Sequence, residues 1–420
     1  MKVKLVIFFC LLLVFLPFTQ ALTINIGFPL KISELLLLLL PFLYLHKGSV
    51  SKLYIAHINE NKILILLLFW IFCSFIINAF WSYDYSLKEI PYRISALGDS
   101  FLRLVYVVLC IIAFFISLFF FTTKSTTILK YWIIGATVAA SYSWYLFFSS
   151  ALGIPYLKLF GMETIPQNLF GIIRCGTFKE GNFFGLFLIL SAAISFSLGK
   201  KKNAWFLLAT IFTTMSTISL VSACVFLIFV FRKKLFTGRV FIVYPLILIG
   251  FLFFSKTEYY QSYVMKKLFQ PVSSVTEENF SKVDRYLTGR NAFKQGVDNP
   301  FVGVGPYNYA LHYDYHNDYR NVINQPSEWF QNYILRKNRR AITNNVYLEV
   351  WAEYGVIGFI IFMLFLAKTL LISFKNKDDL ITGGLLAMYL SFNAFPSFIM
   401  LFLWVFLAIP YAINYQKSRV

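Results

Sequence analysis

Three short stretches of the sequence place arginine or acidic side chains beside amides and glycines. The first stretch contains Arg174 and Glu180, and the second contains Arg285 and Arg290. The guanidinium group is a planar fork that matches the oxygens of phosphate and keeps its charge at any working pH. The sequence therefore predicts Arg174 and Arg285 as phosphate-binding cations. Alternatives stay open, because Arg285 could pair with Asp284 and Arg174 could extend its charge to a membrane surface.

The second stretch continues into a pair of glycines. Asn299 and Pro300 are followed by Gly303 and Gly305. Glycine adopts backbone conformations that other residues avoid, so this spacing predicts a tight turn at 303–305. The N–H groups of such a turn would be free to bind an anion together. Gly303 and Gly305 are therefore candidates to bind substrate.

The third stretch contains two carboxylates on one face of a predicted helix. Asn345, Glu349 and Glu353 are spaced four residues apart, which aligns them along a helix. A carboxylate at the mouth of a membrane helix is costly unless it faces water or a partner. We favour a polar stripe that lines an outward-facing cavity over a helix end that only marks the membrane interface. Gly355 and Gly358 would let a neighbouring helix approach closely.

Histidine and cysteine are too scattered in the sequence to predict a metal site. Asp314, His316 and Asp318 alternate along the chain, but no second histidine or cysteine cluster supports them. His316 is instead a candidate to bind substrate. The sequence also lacks the phosphate-binding P-loop, the GxGxxG fingerprint and the GxSxG elbow. We therefore predict chemistry without a metal ion.

The elements that hold these residues are mainly apolar. Of the 420 residues, 59% are hydrophobic and 14% are charged, whereas a soluble domain carries about 25% charged residues. So few charges cannot cover the surface of a soluble protein of this length. We predict an all-α polytopic membrane protein, with lipid as the solvent for most of the chain.

The net charge of +19 indicates membrane orientation rather than a nucleic-acid partner. Lysine and arginine lie mainly at the ends of apolar runs, as at 200–202 and 232–234. Basic residues in that position fix membrane topology. Four of the five cysteines lie within apolar runs, which predicts small apolar side chains and no disulfide framework.

Apolar runs of suitable length predict about twelve transmembrane helices. They lie near residues 4–21, 29–45, 62–80, 101–122, 129–152, 183–198, 203–215, 217–231, 239–255, 346–373, 380–394 and 398–414. The stretch 203–231 is too long for one helix and short for two, and its polar middle at 213–217 predicts a break. The first run is similar to a secretory signal peptide, but the charge pattern alternates correctly only if this run is retained as a span.

Alternate connections carry the basic residues, which places those connections and both termini in the cytoplasm. The predicted organisation is a bundle at 1–255 with about nine spans, an external and partly helical loop domain at 256–345, and a bundle at 346–420 with about three spans. Within the loop domain we predict helices near 262–268 and 281–297. Long loops usually carry function, and all three candidate stretches lie on the external side. We therefore expect an active site that faces outside.

In chain order, the candidate residues resemble motifs of the O-antigen polymerase and O-antigen ligase superfamily. The matching segments are Arg174-Cys175-Gly176-Thr177-Phe178, Arg285, Asn299-Pro300-x-x-Gly303-x-Gly305, Asn344-Asn345-x-Tyr347-Leu348-Glu349 and Glu353-x-Gly355-x-x-Gly358. They lie between residues 170 and 360; before that region the resemblance rests on topology alone. Proteins of this superfamily have many spans and one large external loop late in the chain, as predicted here.

The resemblance implies glycosyl transfer at the outer face of the bacterial cytoplasmic (inner) membrane. The donor would be a glycan on undecaprenyl diphosphate, transferred to a sugar hydroxyl without a cofactor, a metal ion or a nucleotide sugar. Arg174 and Arg285 would match the family's arginines, which stabilise the departing diphosphate, and Asn344 and Glu349 would complete the catalytic residues. The substrate-binding candidates are Arg290, Asn345, Glu180, Gly303, Gly305 and His316. Expected partners are membrane lipid, a chain-length regulator and a flippase, and no nucleic acid.

One position departs from the ligases of this superfamily. Ligases carry a histidine followed by Asn, Ser or Gln, with Gly-x-x-Gly at a fixed distance beyond. This chain keeps the spacing from Asn345 to Gly355 but has Asn344 at the histidine position. Asparagine cannot accept a proton as a general base, so the departure favours a polymerase over a ligase. The base stays open among Glu349, Glu180 and His316.

A carrier or flippase for lipid-linked sugars is the alternative from a different class. Such transporters are often built from internal repeats, with broken helices near the midplane of the membrane. The sequence shows no internal repeat, and its polar residues gather at the outer rim. We therefore favour polymerisation of undecaprenyl-diphosphate-linked repeat units into an O-antigen-like or capsule-like polysaccharide. Ligation of the glycan to lipid A core or to protein is the nearer alternative.

Overall fold

The computed structural model of the protein is mostly helical, in agreement with the predicted all-α class. The residues that it describes are 3–25, 29–45, 57–80, 95–124, 126–162, 166–169, 171–235, 252–253, 255–257, 260–276, 279–324, 327–335 and 340–418. The ninth predicted span, near 239–255, lies almost entirely outside these residues. The only sheets in the described part are two short antiparallel hairpins.

The chain forms two compact units. The first comprises Met1–Leu68, Val105–Val230 and Ile361–Val420, and the second comprises Phe69–Leu104 and Phe231–Ile360. Residues 69–104 thus share a unit with the predicted external loop, a grouping that the predicted division at 255 and 345 does not contain.

The first unit is a set of packed apolar helices. Helices that belong to it are Val3–Phe15, Ile32–Leu45, Lys130–Ala151, Gly181–Ser197, Lys201–Thr210, Asp379–Ser391 and Leu401–Lys417. Its hairpins pair Thr23–Asn25 with Pro29–Lys31 and Asn168–Leu169 with Ile172–Ile173. Trp132 stacks on Phe187 with ring centroids 5.4 Å apart and donates a hydrogen bond to the Ser191 hydroxyl at 2.7 Å. The indole N–H of Trp132 is thus paired inside the protein, as an apolar solvent requires of a buried donor.

The break predicted within 203–231 is confirmed. The helix Lys201–Thr210 tightens into the 3₁₀ turn Ile211–Thr214, and a new helix begins at Thr217 and ends at Leu235. Met215 lies between them with a φ of 47°. A left-handed residue of this kind ends a helix, because it turns the next backbone groups away from the helix axis.

Three described helices are long and apolar enough to cross a membrane. They are Lys62–Phe80, Ala96–Lys124 and Val346–Lys375. Two shorter apolar helices are Leu5–Phe15 and Gly181–Ser197. Each long helix coincides with a predicted span, which supports a membrane protein. The count of about twelve spans stays a prediction.

The predicted loop domain contains several short elements and one long helix in the second unit. The elements are the π-helix Tyr260–Met265, the helices Lys266–Phe269, Phe280–Asp298 and Glu328–Leu335, and the 3₁₀ turns Tyr309–His312 and Tyr319–Asn321. Both helices predicted for this region are confirmed. The helix Phe280–Asp298 is called the loop helix below.

The loop helix has its own apolar core. Val283 and Leu287 on one of its faces pack with Tyr319, Phe330 and Ile334, all of them buried. These contacts join the loop helix to the helix Glu328–Leu335 and to the turn between them. Because burial of apolar area drives folding, this region is a folded platform that can hold polar side chains in fixed positions.

Candidate functional site

Arg174 lies just after the second hairpin of the first unit and before the helix Gly181–Ser197. Its Nε donates to Oε1 of Gln167 at 3.1 Å, and the same oxygen accepts the backbone N–H of Gly181 at 3.2 Å. Gln167 therefore holds the half-buried guanidinium group beside the start of a helix. The positive end of the helix dipole lies beside the arginine, and the predicted role of Arg174 as a phosphate-binding cation stays a prediction.

The rest of the first motif is structural. Gly176 has a φ of 55° and lies against Phe184. Phe178 is fully buried and packs on Phe184 and Phe402, with ring centroids 5.4 Å and 5.9 Å away. Glu180 occupies the N-cap position of the following helix, where its carbonyl oxygen accepts the N–H of Phe184. A carboxylate at this end of a helix is stabilised by the helix dipole, and its predicted role as a base or substrate ligand stays a prediction.

In the second unit, Arg285 and Arg290 lie on the loop helix with different surroundings. Arg290 donates to a carboxylate oxygen of Asp318 at 2.8 Å, and Lys294 donates to the same oxygen at 2.7 Å. Burial by itself raises the pKa of Asp318, but the hydrogen bonds and charges of Lys294 and Arg290 outweigh burial and lower that pKa below its ordinary value. Arg290 is thus paired with an acid of the same unit. Arg285 is half-buried, one residue after Asp284.

Asn344 and Asp284 bring the second and third motifs together. The amide nitrogen of Asn344 donates to a carboxylate oxygen of Asp284 at 3.0 Å. Asp284 is buried and directly precedes Arg285. Asn344 has a φ of 53°, a left-handed conformation that asparagine tolerates better than most residues. The structure therefore places the position of the ligase histidine beside the residue that precedes the predicted phosphate-binding arginine.

Asn345 begins the next helix. Its side-chain oxygen accepts the N–H of Leu348 at 3.1 Å, and its carbonyl oxygen accepts the N–H of Glu349 at 2.9 Å. This is the contact of an N-cap asparagine, which satisfies a donor that the first turn of a helix leaves unpaired. The amide of Asn345 thus stabilises the helix start, and its predicted contact with substrate stays a prediction.

The helix Val346–Lys375, called the broken helix below, is interrupted at Gly355. Gly355 has φ 65° and ψ −171°, far from helical values. A side chain at this position would lie 2.7 Å from the carbonyl oxygen of Pro300 and closer still to that of Phe301. Only glycine can let the chain of the second motif approach here. Gly358 lies against Trp70, so the predicted close approach of a neighbouring helix is confirmed at that glycine.

The two glycine motifs of the second unit interlock through backbone hydrogen bonds. Val304 donates its N–H to the carbonyl of Ala352 at 2.9 Å, and Gly305 donates to that of Glu353 at 3.0 Å. In return, Val356 donates to the carbonyl of Pro300 at 2.7 Å. The break at Gly355 frees carbonyl groups of the helix, and the glycine turn supplies donors for them. The glycine turn and the break in the helix therefore satisfy each other's backbone hydrogen bonds.

This interlock corrects the expected role of the glycine turn. Gly303 and Gly305 have φ of 69° and 91°, so the predicted turn is confirmed. Their N–H groups, however, bond to the carbonyl oxygens of Asn299 and Glu353. The expectation of free N–H groups that form an anion site is wrong for these two donors, because the broken helix requires them. Direct binding of substrate by either glycine stays a prediction.

Side chains of the helix Lys62–Phe80 approach the carbonyl groups around the break. Trp70 donates its indole N–H to the carbonyl of Tyr354 at 2.9 Å, and the Ser74 hydroxyl lies 2.7 Å from the carbonyl oxygen of Val302. Asn78 donates to the carbonyl of Gly303 at 3.3 Å. The break leaves carbonyl groups without helical partners, and these three side chains lie within hydrogen-bond distance of backbone carbonyl groups on both motifs.

The carboxylates of the third motif meet an arginine that the sequence analysis missed. Glu349 forms an ion pair with Arg103, and the two side chains are 6% and 5% exposed. Glu353, one turn further along, is also buried. The stripe therefore packs against the helix Ala96–Lys124, and the expectation that these carboxylates line an open cavity is wrong. The predicted catalytic role of Glu349 stays a prediction that competes with this ion pair.

A second buried ion pair lies on the same helix as Arg103. Arg340 donates to a carboxylate oxygen of Asp99 at 2.5 Å and to the carbonyl of Tyr307 at 2.5 Å. The guanidinium carbons of Arg340 and Arg103 lie 3.8 Å and 5.7 Å from the centre of the Tyr307 ring. Tyr307 is thus held between two cations by its aromatic face. Asp99, Arg103, Arg340, Glu349 and Glu353 are called the buried charge cluster below.

One signal in the sequence points to Asp99 and Arg103. They lie four residues apart at the start of the apolar helix Ala96–Lys124. Charged residues in such a segment nearly always face a partner inside the protein. Their partners cannot be identified by spacing, because Glu349 lies 246 residues from Arg103 along the chain.

His316 is already hydrogen-bonded on both sides of its ring. Its Nε2 lies 2.7 Å from a carboxylate oxygen of Asp298, and its Nδ1 lies 3.0 Å from the carbonyl oxygen of His312. His316 therefore ties the end of the loop helix to the turn after it. Its predicted role as a base or a substrate ligand stays a prediction.

The candidate residues fall into the two units. Arg174 and Glu180 belong to the first unit, and Arg285 belongs to the second together with Asn344 and Glu349. Within the second unit, Asp284 joins the neighbourhoods of Arg285 and Asn344, while Glu349 belongs to the buried charge cluster. A shared pocket of Arg174 and Arg285 stays a prediction.

Comparisons with known proteins agree with the second unit's motifs. No curated protein matches the chain. Residues 203–363 match the family model described as O-antigen ligase. This range contains the loop helix, the glycine turn, Asn344 and the break at Gly355. The match confirms the resemblance to the O-antigen polymerase and ligase superfamily that the sequence motifs indicate.

Proposed function

We propose that this protein joins glycan repeat units that are carried on undecaprenyl diphosphate, at the outer face of the cytoplasmic membrane. The observation that carries the proposal is the contact between Asn344 and Asp284. Asn344 stands where the resemblance implies a ligase histidine, and it bonds to the residue that precedes Arg285, within the region 203–363 that matches the O-antigen ligase family. The asparagine itself favours polymerase over ligase, because this residue cannot act as the ligase base.

The proposed reaction is a substitution at the anomeric carbon of the donor. The acceptor hydroxyl forms a bond to that carbon, and the bond from carbon to the diphosphate oxygen breaks. The lipid diphosphate leaves with the electron pair of that bond and gains negative charge. A fixed guanidinium group stabilises charge that develops in this way. Arg285 would supply that group in the second unit, and Arg174 would supply a second one.

Ligation is the second candidate function, and one observation favours it. The family that residues 203–363 match is described as O-antigen ligase. In a ligase the acceptor would be lipid A core or a protein hydroxyl instead of a second repeat unit. The donor and the role of Arg285 would be the same, so the two candidates differ only in the acceptor.

Deletion of the gene, followed by separation of the surface glycan on a gel, tests the proposal. A polymerase predicts a single repeat unit on the surface acceptor in place of a ladder. A ligase predicts long chains that accumulate on the lipid carrier, and this result would contradict the polymerase. An unchanged ladder would contradict both candidates. Re-expression of the wild-type chain is the matched control.

A further inference from the structure

The side chain of Asn344 has one orientation that its partner allows. Its amide lies 3.0 Å from a carboxylate oxygen of Asp284, which is 6% exposed. An ionised carboxylate can accept hydrogen bonds but cannot donate them, so the amide nitrogen of Asn344 faces Asp284. The amide oxygen of Asn344 then faces away from Asp284. The two ends of an asparagine amide are otherwise easily exchanged, and Asp284 removes that ambiguity.

The backbone around this contact is also tied down. The Thr288 hydroxyl lies 2.7 Å from the carbonyl oxygen of Asp284 and 3.0 Å from that of Thr343. Thr288 and Thr343 are both buried. The same side chain therefore links the loop helix to the residue immediately before Asn344. The distance between Asp284 and Asn344 is set by the fold and not by two mobile surface groups.

We infer that Asp284 is a positioning residue, which turns the amide oxygen of Asn344 toward the acceptor hydroxyl. This inference rests on the proposed glycosyl transfer. The amide oxygen accepts a hydrogen bond from the acceptor and aims its oxygen at the anomeric carbon. The new carbon–oxygen bond forms as the bond to diphosphate breaks. The hydroxyl proton passes to the released diphosphate, so Asn344 orients the acceptor and takes no proton.

An exchange of the two side chains tests the inference. Asp284→Asn alone lets the Asn344 amide rotate, and Asn344→Asp alone sets two carboxylates against each other. Each single variant should lose about ten- to a hundredfold in rate, the size of a hydrogen bond to a charged group. In the double variant the amide at 284 can donate to the carboxylate at 344, so the bond is restored. The double variant should be at least about tenfold faster than the slower single variant.

A histidine at position 344 separates positioning from simple stability. In Asn344→His the ring could donate one N–H to Asp284 and use its other nitrogen as a base. Its rate should then rise with pH through about 6.5, the ordinary histidine pKa, whereas the wild-type rate should show no such step. In Asn344→His combined with Asp284→Asn the step should weaken. A structural role alone predicts equal pH profiles in these three proteins.

The measurements use the full chain in vesicles with a purified lipid-linked repeat unit, and protein levels are compared for every variant. Glu328→Gln is the matched control, because it removes an exposed loop-domain carboxylate at the start of the helix Glu328–Leu335, outside the candidate residues. Its rate should stay within about threefold of the wild type. A wild-type rate from Asp284→Asn, or no recovery in the double variant, would overturn the inference. If the wild-type protein does not extend the repeat unit, that result would instead contradict the proposed function.

Discussion

Two arginines of the second unit, Arg103 and Arg285, differ in how deeply their side chains are buried. Arg103 is almost completely buried and forms an ion pair with Glu349. Arg285 is half-buried on the surface of the loop helix, one residue from the contact between Asp284 and Asn344. A buried pair cannot be opened without leaving an uncompensated charge, so Arg103 is suited to hold elements together. Depth of burial, rather than residue type, therefore separates the arginine suited to a structural role from the one at which a ligand can arrive.

Substitution of Arg285 should have the greatest effect on activity. Arg285→Ala should lower the rate of chain growth by at least about a hundredfold, because the departing diphosphate loses a fixed cation. Arg285→Lys should recover little, since an ammonium group cannot reproduce the planar fork. The measurement is the glycan ladder in cells that contain equal amounts of each protein. A full ladder from Arg285→Ala would remove this arginine from the site.

Substitution of Arg103 should instead lower the stability of the protein. Arg103→Met should lower the free energy of unfolding by about 3–5 kcal/mol, because Glu349 is left buried without its partner. The double variant Arg103→Met with Glu349→Leu should recover much of this loss, since both charges are gone. Thermal unfolding in detergent measures both effects. Normal stability in Arg103→Met together with lost activity would move Arg103 from the structural to the catalytic side.

Gly355 also contributes to stability, because the helix break that it permits positions Glu353 and the glycine turn. Gly355→Ala puts a side chain on a backbone conformation that glycine almost alone adopts, at a cost of about 1–3 kcal/mol. The new side chain also clashes with the carbonyl groups of Pro300 and Phe301. Gly153 is a matched control: its φ is 66°, and a side chain there would meet nothing within 4 Å. Thermal unfolding should show a clearly larger loss for Gly355→Ala. Equal losses would mean that the interlock adds little.

The smallest expected effect concerns pH. The pKa of Asp318 is lowered in the folded protein by Lys294 and Arg290, which outweigh burial. The carboxylate therefore contributes stability above its unfolded pKa of about 3.9, and the contribution is lost as pH falls through the lower folded value. Because its partners are 38–39% exposed, the effect should be at most about 1 kcal/mol. Unfolding of Asp318→Asn and wild type at pH 7 and at a series of acidic pH values measures the difference, which should shrink as the pH falls below about 3.9.

Local properties of the sequence were sufficient to predict the local structure. Hydropathy located the long helices, since an apolar run of that length has few other stable states in lipid. The polar residues at 213–217 located a helix break, and the glycine spacing located the turn at 303–305. In each case the signal and the structure involve neighbours along the chain.

The contacts that define the site are different in kind. Asn344 lies 60 residues from Asp284, and Arg340 lies 241 residues from Asp99. No periodicity connects residues so far apart, so the sequence motifs indicated Arg285 and Asn344 as candidates but could not predict the bond from Asn344 to Asp284. The N–H groups of Gly303 and Gly305 were misjudged for the same reason. Their acceptors lie elsewhere in the chain, and in the case of Gly305 on the broken helix.

The most direct test of the proposed reaction is the conversion of a purified lipid-linked repeat unit by the full chain in vesicles. The account predicts a ladder of longer lipid-linked glycans, with one undecaprenyl diphosphate released for each new glycosidic bond, and neither product from Arg285→Ala. An unextended repeat unit with the wild-type protein, or an equal ladder with Arg285→Ala, would contradict it.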